Sequence, residues 1–114
     1  MASLAVAFPV LPGKFEEMRS FAQEILGARR SEFDASQRRH GAVGERWYHQ
    51  ETPQGDLVIV CVDGPDPLGA LGAFSASQDP FDLWFKQRVQ GLSGVDLNEP
   101  PAGPPPEQFF DWTA

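Results

Sequence analysis

Two stretches of the chain are apolar at every position: Leu4-Ala5-Val6-Ala7-Phe8 and Leu57-Val58-Ile59-Val60-Cys61-Val62. A short uninterrupted apolar run reads as a strand covered on both faces, so each is expected in the middle of a sheet. A third run, Arg46 to Glu51, mixes aromatic, charged and amide side chains. That suits a strand nearer an edge, or one lining a cavity. Between the second and third runs, Thr52-Pro53-Gln54-Gly55 carries turn chemistry: proline presets φ at the first central position and glycine supplies a left-handed residue. With Pro53, Gln54 and Gly55 as the loop, Thr52 faces Asp56, and Trp47, His49 and Glu51 lie opposite Cys61, Ile59 and Leu57. Arg46, Tyr48 and Gln50 then meet Val62, Val60 and Val58 on the other face. A slip of one residue would exchange the two faces.

The remaining pattern has helical period. Phe15, Met18, Ala22, Ile25 and Leu26 form one stripe after the Pro12-Gly13 break, and Gly27 kinks or ends that helix. Helical character resumes from Glu32 to His40, with Gly41 placed as a C-cap. After the hairpin, Asp66-Pro67 opens a short helix carrying Leu68, Leu71 and Phe74, and Asp79-Pro80 opens another with Phe81, Trp84, Phe85, Val89 and Leu92 on a bulky face. Gly91 or Gly94 ends it. Asn98 to Pro106 holds five of the eleven prolines, so this segment is expected to be extended and without a ladder of its own. Phe109, Phe110 and Trp112 are too apolar for a free terminus, and residues 107–113 are expected to return to the body as a short edge strand or clamp.

This order predicts a single α+β domain over residues 1–114 on the ferredoxin-like βαββαβ plan: a four-stranded antiparallel sheet with its helices on one face. The first and third strands of that plan lie in the middle, as the two continuous apolar runs require. The face without helices would carry groups unsuited to water, and a second copy packed sheet to sheet would cover it. A homodimer is therefore expected.

Composition narrows the partners. The chain has 114 residues, 41% hydrophobic and 22% charged, with a net charge of −7. That balance argues against nucleic acid or an anionic membrane as partner. The single cysteine, Cys61, excludes an internal disulfide and reads as a buried inert thiol, which favours a cytoplasmic home. The apolar run Leu4 to Leu11 lacks a preceding basic residue and leads straight into a helix start, so it reads as a strand rather than a signal peptide. No stretch is long enough to cross a bilayer.

The segments ERWYHQETPQGDLVIV, DPFDLWFKQRV and GVDLNEPPAGPPPEQFFDW together resemble a family of short bacterial proteins of unknown function. That family looks like a member of the dimeric ferredoxin-like (α/β barrel) superfamily, and the resemblance covers nearly the whole chain. It implies the same dimeric sandwich. The superfamily spans cofactor-free monooxygenases, isomerases, cyclases, haem enzymes and ligand sensors, so the resemblance selects no activity among them.

Several residues carry candidate chemistry, each with a plainer reading. His49, on a strand between Trp47 and Glu51, suits a general acid or base in a partly apolar cavity; a histidine hydrogen-bonded at a sheet edge is the commoner case. His40 closes a helix, where the dipole favours its protonated form. Arg29, Arg30, Arg38, Arg39 and Arg46 could recognise an anion, although such runs more often form a solvated face paired here with Glu32 and Asp34. Trp47, Tyr48, Trp84 and Phe85 could line a pocket for an aromatic ligand or simply fill the core. Two histidines and one cysteine match no standard metal-ligand spacing, and no motif calls for a cofactor.

Two functions follow. One is a homodimer that binds a small, largely apolar organic molecule between sheet and helices. The alternative is a cofactor-independent monooxygenase, isomerase or cyclase acting on a phenolic or polyketide-like substrate. There His49 would move the proton, Arg46 would hold a developing enolate, and Trp47 and Tyr48 would stack on the ring.

Overall fold

The computed structural model describes residues 1–99 and 103–114. The elements run β1 (Ala2–Pro9), α1 (Phe15–Leu26), α2 (Arg30–His40), β2 (Gly44–Thr52), β3 (Gly55–Gly64), α3 (Pro67–Ala76) and α4 (Pro80–Ser93). The strands form one antiparallel sheet in the order β1-β3-β2. β3, the longer apolar run, is the middle strand, as its pattern requires.

The hairpin departs from the expected register by one residue. Thr52 pairs with Gly55, so Trp47 lies opposite Val60, His49 opposite Val58 and Arg46 opposite Cys61. The physical reason lies in the turn. Gly55, at φ 124°, enters the ladder instead of sitting in the loop, leaving Pro53 and Gln54 as the connection. The Thr52 hydroxyl donates to the Gly55 carbonyl at 2.7 Å and accepts from the Gln54 amide at 3.2 Å, closing the turn. The slip exchanges the faces. Glu45 and Trp47 now share the helix-facing side with Val58, Val60 and Val62, while Arg46, Tyr48, Ile59 and Cys61 look the other way.

β1 also departs from expectation. Its inward residues Leu4, Val6 and Phe8 are half-buried under the helices, but Ala5 and Ala7 on the other side are exposed. The run is apolar at every position because alanine is small on the open face, not because both faces are covered. β1 is a sheet edge, since no fourth strand exists among the described residues. Glu107 to Ala114 form no ladder and lie exposed, with Phe109 at 91%, Phe110 at 79% and Trp112 at 74% exposure. The expected return of residues 107–113 as a strand or clamp is thereby corrected. The prolines before them carry no N–H with which to extend a ladder from the body. The expected extended segment 98–106 falls partly on residues 100–102, outside the described residues; Gly103 to Pro106 have no regular structure.

Four helices pack on the inward face rather than the two of a simple βαββαβ chain. α1 buries Met18, Phe21 and Ile25, so its stripe is centred on Phe21, while Leu26 is exposed. The starts and stops follow local chemistry. Asp66 and Asp79 each accept a backbone N–H at 3.0 Å ahead of a proline, and Gly41 and Gly94 end α2 and α4 at φ 79° and 78°. No described helix is long and apolar enough to cross a membrane.

α4 is the keystone. Phe81, Phe85, Val89 and Leu92 enter the core cluster with Val10, Met18, Phe21, Ile25 and Val58. The same helix sinks two charges, Asp82 and Lys86, to 0% and 1% exposure. Asp82 accepts from the hydroxyls of Ser36 at 2.5 Å and Ser77 at 2.6 Å, from His40 Nε2 at 3.0 Å and from Arg39 at 3.2 Å. Burial alone would push its carboxyl upward. The four donors outweigh that and hold it down at about 2. Lys86 Nζ donates to the carbonyls of Phe74, Ser75 and Ser77 at 3.1, 2.9 and 2.9 Å. It thereby satisfies the orphan carbonyls at the end of α3. Burial draws its pKa down, against the pull of Asp82 and Asp96.

Candidate functional site

Between the sheet and the helices lies a cavity of about 100 Å³. Its floor is Leu4, Val6, Phe8, Val58, Val60 and Trp47, and its roof includes Phe33, Phe74 and Phe85. The lining is almost wholly apolar because the inward positions of three strands meet the buried stripe of four helices. One corner is polar, and its groups are Gln37, His40 and Glu45.

Glu45 is the group of greatest chemical interest in that corner. Its place on β2, two residues before Trp47, turns both side chains toward the helices. The Trp47 indole N–H donates to Glu45 Oε2 at 2.6 Å and the Gln37 amide donates to Oε1 at 3.1 Å. Burial pushes the carboxyl above its ordinary range, and these two hydrogen bonds restrain the rise. A carboxyl of raised pKa against an apolar cavity is able to donate or accept a proton in binding a ligand.

A second, more open cleft of about 430 Å³ lies at the free edge of β2, bordered by Arg46 and Tyr48 on the strand and by Ile25 and Leu26 of α1. Phe33, Glu45 and Trp47 border both spaces, so these three side chains form the wall between cleft and cavity.

The residues singled out from sequence divide between these places. His40 lies at the cavity, with its Nε2 against Asp82 and its ring edge-on to Phe74 at 5.5 Å. Trp47 and Phe85 also line it and pack on each other at 6.2 Å. Trp84 does not: its ring packs tilted against Phe21 at 5.6 Å, with the Arg29 guanidinium 3.9 Å above it. Tyr48 is exposed on the open face. Arg46 is on that face too, donating to Asp63 at 2.8 and 3.4 Å. That pairing raises the arginine and lowers the aspartate, to which Ser3 also donates.

His49 stands on the helix-facing side but near the hairpin end, outside the cavity. Its ring stacks on Phe15 at 3.5 Å and its Nε2 is 3.0 Å from Asp56. His49 and Arg46 are thus held on opposite faces, and the ladder from Gly44 to Thr52 has no bulge to bring them together. The pairing of proton carrier and enolate holder that catalysis required is not assembled. His49, Glu51 and Asp56 do place three potential ligand atoms within 4.8 Å of one another. Spacing rules missed that group because it forms across a hairpin. The arginine run resolves into ordinary ion pairs, Arg29 with Glu32 and Arg30 with Asp34, each at 2.9 Å.

Glu45 was not legible as a site residue. Its only sequence signal is the alternation Glu45-Trp47-His49, which marks a face but does not say which face is inside. Comparison with protein-family models, curated proteins and solved structures yields no match.

Proposed function

We propose that the protein is a homodimer that binds a small, largely apolar organic molecule between its sheet and its helices. The observation that carries this reading is the cavity of about 100 Å³ with a mostly apolar lining and a polar corner at Glu45, Gln37 and His40. Ligand sites have that composition: apolar walls for affinity and a few placed polar groups for orientation. The volume is below the roughly 150 Å³ that accommodates benzene, so the molecule, or the part of it that enters, is small.

The dimer reading is supported by the open sheet face. Leu57, Ile59, Cys61 and the two alanines of β1 form an apolar surface there, and Phe109, Phe110 and Trp112 are exposed apolar groups as well. A two-fold partner would remove that surface from water.

Xenon tests the cavity, because it needs no polar contact and less room than benzene. Under xenon pressure, the amide resonances of Val58, Val60 and Phe85 and the methyl resonances of the two valines are expected to shift while those of the hairpin end stay put. Sedimentation equilibrium is expected to give twice the 12.5 kDa chain mass. Xenon shifts absent from these residues would remove the ligand reading, and a monomer at all concentrations would remove the dimer.

A further inference from the structure

Asp82 and Lys86 show how this fold treats a buried charge: each is compensated by four or three partners, charged or strongly polar. Glu45 is treated differently. It receives only the neutral donors of Trp47 and Gln37, and among the described residues no lysine, arginine or histidine nitrogen lies within 4.0 Å of it. A desolvated carboxylate with neutral donors alone lacks a counterion. On its cavity side stand the rings of Phe33, Trp47, Phe74 and Phe85. Aromatic faces carry negative charge density and attract cations. Both features ask for the same occupant, a cation on an apolar body.

We infer that the cavity takes a small aliphatic amine, bound as its ammonium ion, with the head group donating to the Glu45 carboxylate and the alkyl part among Val58, Val60 and Phe85. This rests on the cavity being the ligand site, and it names the ligand's chemical class. An alcohol offers Glu45 one neutral donor and leaves the charge unmatched. A carboxylate ligand would set like charges together in a poorly solvated corner. The net charge of −7 on the chain draws cations toward the protein and repels anions before contact.

Three probes with one two-carbon skeleton separate these cases: ethylamine, ethanol and acetate, each titrated into the full chain near neutral pH and followed by the Trp47 indole and Val60 resonances. The ammonium–carboxylate bond carries charge on both partners and the alcohol–carboxylate bond on one, so ethylamine is expected to bind about tenfold more tightly than ethanol, with acetate weakest. Glu45→Gln, of nearly the same shape, is expected to bring the amine-to-alcohol ratio below about twofold, with ethanol losing less affinity than ethylamine. Equal binding of amine and alcohol by the native chain would overturn the inference, as would an amine preference that survives Glu45→Gln. If ethanol or xenon binds and ethylamine does not, only the amine assignment falls. If none of them reaches the cavity, the ligand reading falls with it.

Discussion

Replacing Asp82 by asparagine tests the polar centre of this fold. The carboxylate is fully buried and accepts four hydrogen bonds from α2, α3's end and Arg39. An amide of the same shape accepts at one oxygen and presents N–H groups to donors at the other position. The Asp82 carboxyl lies at about 2 in the fold against 3.8 ordinarily; at about 1.36 kcal/mol per pH unit, that difference amounts to roughly 2–3 kcal/mol of stability. The sign follows from the direction. A carboxyl held low in the folded state stabilises it above pH 3.8, and this contribution fades as pH falls through that value toward about 2. Breaking a buried charged network costs about 3–5 kcal/mol. Arg39 keeps a second partner, Asp79 at 3.3 Å, and is partly exposed, which puts the cost at the low end. Asp82→Asn is therefore expected to lose about 3 kcal/mol at neutral pH, out of a total near 5–15 kcal/mol. Urea unfolding followed by tryptophan fluorescence, at neutral pH and again near pH 2, measures both quantities. The gap between the two proteins should shrink by most of that amount on acidification. A variant within about 1 kcal/mol of the native protein at neutral pH, or a gap that does not change with pH, would refute the reasoning.

Two further substitutions separate core from surface. Phe21→Ala removes the fully buried ring that contacts Trp47, Trp84 and Phe85 and is expected to cost about 3–5 kcal/mol, read as a lower urea midpoint. His49→Ala loses one hydrogen bond to Asp56 and a stack on Phe15 in a partly exposed place. It is expected to cost about 1 kcal/mol or less, and to leave ethanol binding at the cavity unchanged; a loss of binding would restore His49 to the site.

How much of this was legible beforehand depends on how local the governing force is. The helix starts at Asp66-Pro67 and Asp79-Pro80, the stops at Gly41 and Gly94, and the hairpin itself follow from hydrogen bonds and backbone angles within a few residues. β3 reads correctly as a middle strand because its large apolar residues occupy both faces. The same inference failed for β1, since alanine counts as apolar in a pattern yet buries so little area that an open face tolerates it.

The candidate site was legible only in part. His40, Trp47 and Phe85 were singled out and lie at the cavity, but Glu45 was not, because a one-residue difference in register decides which side of β2 is inside. That choice was made by Gly55 entering the ladder and by the fit of Trp47 against Phe21 and Phe85. Burial of Asp82 and Lys86 was equally invisible, since it needs hydroxyls and carbonyls from α2 and the end of α3 to converge on α4.

The sequence by itself determined where the chain turns, where the helices and the three strands of the sheet run, and that one of those strands lies in the middle. Only the tertiary structure decided the register, the count of strands, and the meeting of an unneutralised carboxyl with an aromatic cavity. The former depend on neighbours along the chain. The latter depend on contacts between segments far apart in it, whose energies no local pattern encodes.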